Sequence, residues 1–256
     1  MVKPKKHFGQ HFLTDENIAR KIVNLLAPQP DEKVLEIGPG KGVLTTLLLE
    51  KNFTVTGIDI DKEAVAHLRL HFNHPRLTIV EADFLDYSLP QENYTLIGNL
   101  PYNISSPIFF KILEHHEQFR QVACMIQKEV AERIAAKPGS KTYGILSVLL
   151  GYYYTVRYEF KVPPSVFFPR PNVDSAVISM VRKEKTTNIS FHDFRLLVKK
   201  AFGQRRKMLK NALAELDFLV PEKYTSKRAE QLSIEDFVEL LACWQRAKQE
   251  KSNSST

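Results

Sequence analysis

Val34-Leu35-Glu36-Ile37-Gly38-Pro39-Gly40-Lys41-Gly42 decides how the rest of the chain is read. Val34 to Ile37 is a short apolar run of strand character, and Gly42 to Leu49 repeats its apolar residues at helical spacing. The glycines between them permit a tight strand-to-helix turn and close approach of a ligand to the backbone. The same alternation continues outward. Phe53 to Ile58 reads as a second strand ending at Asp59, and Lys62 to Phe72 as a second helix. Leu77 to Val80 is a third strand that stops near Asp83, and Leu96-Ile97 a fourth that runs into Asn99-Leu100-Pro101-Tyr102. Val122 to Ile126 is a fifth, followed by a helix from Lys128 to about Ala136. This order predicts a doubly wound α/β sheet with its site in the loops at the strand carboxyl ends. Tyr154 to Val162 and Val173 to Val181 follow one another without a helix and predict an antiparallel pair closing one edge.

After Lys183-Glu184-Lys185-Thr186-Thr187 the texture changes. Phe194, Leu197, Val198 and Ala201 recur at helical spacing, Gly203 interrupts, and Met208, Leu209, Ala212, Leu213 and Leu216 resume the period. Ser233 to Trp244 reads as a further helix with Ser233 at its N-cap and Glu235 and Asp236 in its first turn. The expected organisation is an α/β domain over 1–182, a small all-α domain over 183–247, and a disordered polar tail over 248–256. The chain carries a net charge of +7, and residues 183–256 hold 15 basic against 10 acidic side chains. Arg195, Lys199, Lys200, Arg205, Arg206, Lys207 and Lys210 fall in one stretch without an acid, a field that attracts phosphates.

No run approaches the roughly 18 apolar residues of a membrane span. The basic start Met1-Val2-Lys3-Pro4-Lys5-Lys6 is followed by no apolar stretch, so no secretory signal is expected. Cys124 and Cys243 lie far apart in apolar contexts and fit thiols of a reducing compartment, which makes the cytoplasm the simplest location. Neither His7 nor His11 has partners at metal-ligand spacing, so no metal is expected.

Glu36 and the glycine turn gain meaning from two other strand ends. Asp59, about 20 residues on, can accept both hydroxyls of a ribose, and Asp83 can accept from an adenine amine. Three strand ends converging on one nucleoside point to an adenosine-bearing cofactor. A dinucleotide fingerprint would require glycine at position 43, where Val43 stands. The spacing Gly38, Gly40, Gly42 after Glu36 resembles the first motif of class I methyltransferases, which implies S-adenosylmethionine rather than NAD.

Further stretches carry a narrower resemblance, over about residues 5 to 245. They are Lys6-His7-Phe8-Gly9-Gln10-His11-Phe12-Leu13, Gly98-Asn99-Leu100-Pro101-Tyr102-Asn103-Ile104-Ser105 and Val162-Pro163-Pro164-Ser165-Val166-Phe167. Pro171-Asn172-Val173-Asp174-Ser175-Ala176-Val177 and Ala201-Phe202-Gly203-Gln204-Arg205-Arg206-Lys207 belong with them. Together these resemble the KsgA family, which dimethylates two adjacent adenosines in a hairpin near the 3′ end of small-subunit ribosomal RNA. The resemblance implies that His11, Leu13, Gly38, Gly40, Asp59, Asp83 and Asn99 surround the cofactor. It also implies that a flipped adenine is held between Tyr102 and Phe167, and that immature small subunits are the partner of a monomeric enzyme. His11 stands where asparagine is frequent, Asn172 where lysine is common, and Gly203 where asparagine is frequent.

The chemistry gives the Asn99-Leu100-Pro101-Tyr102 turn a use. An adenine amine is a poor nucleophile because its lone pair is delocalised into the ring. The Asn99 side-chain oxygen and the Leu100 carbonyl can accept its two protons, Pro101 stiffens the turn, and Tyr102 offers a stacking face. Arg205, Arg206, Lys207 and Lys210 are expected on phosphates. The competing readings are an Erm-type large-subunit enzyme, a non-catalytic ribosome-assembly factor, and an NAD oxidoreductase. Leu100, the Gln204-Arg205-Arg206-Lys207 stretch and Glu230-Gln231-Leu232-Ser233 favour the KsgA side over the Erm side.

Overall fold

A computed structural model of the chain describes residues 4–5, 9–30, 32–184 and 189–254. Met1, Val2, Lys3, Lys6, His7, Phe8, Lys185 to Thr187, and Ser255 and Thr256 of the expected tail lie outside these residues. The chain divides into two units, Met1–Ala131 with Thr155–Arg182, and Glu132–Tyr154 with Lys183–Thr256.

In the first unit the chain runs through β1 (Phe12–Leu13), α1 (Glu16–Val23), β2 (Lys33–Ile37), α2 (Val43–Glu50), β3 (Val55–Asp59) and α3 (Lys62–His71). It continues through β4 (Leu77–Glu81), β5 (Tyr94–Asn99), α4 (Ser105–Glu114) and β6 (Phe119–Gln127), and α5 (Lys128–Ile134) leads out of it. Asp15 caps α1 through the Ile18 N–H, and Asp61 caps α3 through the Glu63 N–H. After α6 (Ile145–Tyr153), the strands β7 (Tyr154–Val162), β8 (Phe167–Phe168) and β9 (Ser175–Arg182) complete the sheets.

Seven strands form one sheet in the order β4-β3-β2-β5-β6-β9-β7. The pairs β2–β3, β3–β4, β2–β5 and β5–β6 are parallel, and β9 joins β6 antiparallel with Cys124 opposite Ile178. Parallel strands covered on both faces bury nearly every side chain, which is why Val34, Leu35, Leu96 and Ile97 read as continuous apolar runs. The doubly wound fold with an edge pair is as expected. The strand order reverses between β2 and β5, and this opens a crevice beyond Ile37 and Asn99 at their carboxyl ends.

A second, two-stranded sheet pairs β1 with β8, Phe12 facing Phe168 and Leu13 facing Phe167. Thr14 N–H extends the pairing to the Val166 carbonyl at 2.9 Å. The stretch expected to begin the last strand at Val173 enters it only at Ser175.

In the second unit, α6 groups with α7 (Phe191–Gly203), α8 (Leu209–Ala212), α9 (Glu222–Thr225) and α10 (Ile234–Ser254). Phe194, Leu197, Val198 and Ala201 are all buried on α7. Tyr152 on α6 lies 5.1 Å from the Phe194 ring, and Phe202 stacks on Phe237 at 5.8 Å. Ser233 and Asp236 cap α10 reciprocally, Asp236 N–H donating to Ser233 Oγ and Ser233 N–H to Asp236 Oδ2.

Two expectations change here. Residues 132–154, read as part of the α/β domain, cluster with the C-terminal helices, because α6 is apolar on every side and buries seven of its nine residues. The expected disordered tail from Lys248 is helical through Ser254. Its Lys, Glu and Gln are good helix formers, Lys248 pairs with Asp193 at 3.2 Å, and Lys251 pairs with Asp217.

Candidate active site

The crevice is a cavity of about 250 Å³. Its floor is the end of β2 and the glycine turn, with Gly38 at φ +65° and Gly40 at φ +56°, values that L side chains rarely adopt. A Cβ on Gly40 would come within 2.9 Å of the Phe12 ring, so the turn packs directly under β1. A Cβ on Gly38 would meet only the Asn99 carbonyl oxygen, at 4.0 Å, so glycine there leaves room on the cavity side.

Asp59, 6 % exposed, ties two strand ends together: its Oδ2 accepts from Gly40 N–H at 3.0 Å and its Oδ1 from Asp61 N–H at 2.9 Å. Each oxygen keeps a second lone pair for a ligand. Burial pushes the Asp59 carboxyl above its ordinary range, against these two backbone bonds. Asp83 Oδ1 accepts from Leu85 N–H at 2.8 Å, and Asp83 lines the cavity beside Phe84. Glu36 lies behind the turn, 1 % exposed, and accepts from Thr45 Oγ at 2.6 Å. Burial, with the nearby Asp59 charge adding to it, pushes the Glu36 carboxyl up to about 7.

At the far wall, Asn99 ends β5 with its Nδ2 donating to the His11 carbonyl at 2.7 Å. A carbonyl can only accept, so this bond fixes the amide and turns Oδ1 the other way. Among the described residues Asn99 Oδ1 has no protein partner. The Leu100 N–H is held by the Met125 carbonyl at 3.0 Å, and Pro101 follows in the cavity wall. Tyr102 is pinned through its hydroxyl to Ser175 Oγ at 2.5 Å, and the His11 ring packs on it with centroids 5.2 Å apart. His11 is itself held by the Pro169 carbonyl at 2.7 Å from Nδ1.

His11, Gly38, Gly40, Asp59, Asp83, Asn99, Leu100, Pro101 and Tyr102 therefore line one cavity. Leu13 lines a smaller adjoining one of about 30 Å³ with Phe12, Lys41 and Asn99. Phe167 departs from expectation. It is 5 % exposed in the core with Leu13, Val162 and Val177, and it lines neither cavity. Alternation along β8 turns the neighbouring Phe168 outward instead, 59 % exposed, with Lys41 Nζ 6.0 Å from its ring.

Several site residues escaped the sequence reading. Gln10 and Lys5 anchor the N-terminal segment on buried Asp61, at 3.2 and 2.6 Å. The doubled acid Asp59-Ile60-Asp61 was the available signal, one carboxylate for the cavity and one for the segment over it. Ser175 carried no signal, since its partner is 73 positions away.

In the second unit, Arg206 and Lys207 are exposed between α7 and α8, and Lys210 is exposed on α8. Arg205 differs: its guanidinium donates to the Lys141 and Tyr143 carbonyls and pairs with Glu230 at 3.5 Å. The expected phosphate contact from Arg205 thus competes with a role in holding the 141–143 loop. Lys200 is likewise paired, with Glu215.

The family described as Ribosomal RNA adenine dimethylase matches residues 1–246. The chain belongs to that family. Ribosomal RNA small subunit methyltransferase A of Phocaeicola vulgatus is 47% identical over 250 residues, covering 94% of this chain and 89% of the relative. The protein of the same name from Porphyromonas gingivalis is 48% identical over 250 residues, covering 93% and 96%. Among solved structures, a dimethyladenosine transferase from Plasmodium falciparum superposes with a TM-score of 0.82 at 28% identity, covering 92% of this chain and 98% of that one. The 23S rRNA methyltransferase ErmE, at 24% identity and a TM-score of 0.72 over 91% and 99%, shares the fold. The family match thus runs through both units of the chain.

Proposed function

We propose that this dimethylase takes S-adenosylmethionine in the cavity and methylates the exocyclic amine of two adjacent adenosines in a 3′-terminal hairpin of small-subunit ribosomal RNA. The names of its relatives support the substrate class, and the orientation of Asn99 carries the chemistry.

The lining residues suit that cofactor. Two carboxylates, Asp59 and Asp83, face the cavity, and among the described residues none of its lining side chains is Lys or Arg. Such a set matches a cation bearing an adenosine better than a dinucleotide with a pyrophosphate. Asp59 would accept the ribose hydroxyls, Asp83 would accept the adenine amine, and the room over Gly38 would admit the rest. His11 and Leu13 would close the site from the N-terminal segment. When bound, the cofactor supplies an electrophilic methyl group on a sulfonium.

The protein's part is to present the nucleophile. With Nδ2 committed to the His11 carbonyl, Asn99 Oδ1 is an acceptor of fixed direction at the cavity wall. The Leu100 carbonyl accepts no backbone hydrogen bond among the described residues and is a second acceptor next to it. Two acceptors on the two amine protons favour a pyramidal nitrogen and stabilise the positive charge that develops as it attacks. Tyr102, held by Ser175, offers a face to a base drawn out of its helix, worth roughly 1–3 kcal/mol. No metal and no covalent intermediate is required, and alignment supplies the rate. Arg206, Lys207 and Lys210 would take phosphates of the RNA. The test is transfer of tritiated methyl groups to unmodified small subunits, followed by mapping of the labelled nucleotides. Label on two adjacent adenosines is expected, and label only on naked large-subunit RNA would overturn the assignment.

A further inference from the structure

Lys111 is a lysine placed where lysines rarely go. It lies on the buried face of α4 and is 8 % exposed. Its Nζ donates to three backbone carbonyls, Phe84 at 2.6 Å, Leu85 at 2.9 Å and Tyr87 at 2.6 Å. An ammonium has three N–H donors, and all three are used. The ion also stands 5.1 Å from the centroid of the Phe84 ring. It makes no ion pair with a carboxylate within 4.0 Å among the described residues.

The three carbonyls belong to one turn, and its first residue, Phe84, lines the cavity beside Asp83. The Asp83 carbonyl accepts from Asp86 and Tyr87 N–H at 3.1 and 2.9 Å, and Asp83 Oδ1 accepts from Leu85 N–H. The turn thus closes its own N–H groups on Asp83 and directs its carbonyls inward, where only a donor from another element can satisfy them. Lys111 is that donor. With Oδ1 tied to the turn by one bond, Asp83 offers its bond-free Oδ2 to the cavity, and the direction of that oxygen depends on how the turn is held.

We infer that Lys111 is a positioning residue for the nucleobase of the cofactor, clamping the 84–87 turn so that Asp83 Oδ2 selects a 6-amino purine. This rests on the reading of the cavity as an adenosylmethionine site. Removing the ammonium leaves three buried carbonyls unpaired and lets the turn relax. The loss should then fall on recognition of the amine, since Asp59 holds the ribose from a different strand.

The test is calorimetric titration with S-adenosylhomocysteine and with S-inosylhomocysteine, whose purine bears an oxygen in place of the amine. Wild-type protein is expected to prefer the adenosyl compound at least tenfold. Lys111→Met should bind it about tenfold more weakly, with the preference reduced to less than threefold. Asp83→Asn should lose the preference as well, and the double variant should lose no more of it than either single one. A folded Lys111→Met that keeps the wild-type preference, whatever its affinity, overturns the inference. Should Lys111→Met fail to fold, Lys111→Arg keeps the charge but cannot seat three donors at one point. A partial loss of preference is then expected, and an unchanged one overturns the inference. A wild-type protein that binds neither compound sinks the cofactor reading itself.

Discussion

Replacing Glu36 by glutamine should make the protein more stable at neutral pH, by an amount that depends on pH in a defined way. The carboxyl is 1 % exposed and raised to about 7, against 4.5 for a free glutamate. Between those two values the folded chain holds a proton that the unfolded chain has released. Stability therefore falls as pH rises through this window, because the native state binds more protons. At ~1.36 kcal/mol for each tenfold change in proton affinity, the stability lost amounts to about 3 kcal/mol once both states are ionised. Glutamine stays neutral in both states and can still accept from Thr45 Oγ. Urea unfolding of both proteins at pH 5, 6, 7 and 8 should show their difference widening steadily in favour of Glu36→Gln, then levelling off above pH 7. A difference that is flat across this range, or that narrows, would refute burial as the cause. The charge behind the glycine turn would then have to be compensated by something other than the Thr45 hydroxyl.

The other predictions concern single contacts. Asn99→Ala should lower methyl transfer by about 10²–10³-fold while leaving RNA affinity, measured by filter binding, largely intact; full dimethylation by this variant would refute the assigned chemistry. Ser175→Ala frees the Tyr102 hydroxyl and should raise the KM for RNA severalfold, consistent with loss of a hydrogen bond worth about 1 kcal/mol. Ser175→Thr should restore it, and an unchanged KM in the alanine variant would remove Tyr102 from the base site. Neutralising Arg206, Lys207 and Lys210 together should flatten the slope of log affinity against log salt by about three, whereas an unaltered slope would return these residues to a solvated surface. Arg205→Ala should instead lower the melting temperature, because its guanidinium holds the 141–143 loop.

The parts of this molecule that were readable from sequence are those whose physics is local. The glycine turn announces itself because positive φ at Gly38 and Gly40 demands glycine, and the apolar runs of β2 and β5 because both faces of the sheet are covered. Asp59 and Asp83 were found by counting from the turn to the next strand ends, a spacing the fold imposes. Periodicity failed where burial was total. Helix α6 has no polar face to reveal its period, so neither its presence nor its membership in the second unit was visible. Phe167 and Phe168 could not be told apart, since both are apolar. Only the register with β1 decides which one turns into the core.

What stayed hidden in the site shares one property: the partner of each side chain is a backbone group or a residue far along the chain. Lys111 is the clearest case. Had it faced a carboxylate at helical spacing, the pair would have read as an ion pair, but carbonyl oxygens are present at every residue and leave no trace in sequence. Asn99 is similar, because what makes its Oδ1 an acceptor is the commitment of Nδ2 to a carbonyl 88 positions earlier. Chemistry that resides in the side chain alone, a carboxylate or a guanidinium, can be nominated from the chain. Chemistry that resides in the direction of an amide or the shape of a turn is made by the fold. In this cavity it is the second kind, on Asn99 and around Asp83, that would separate an amine-methylating site from a pocket that merely holds a nucleoside.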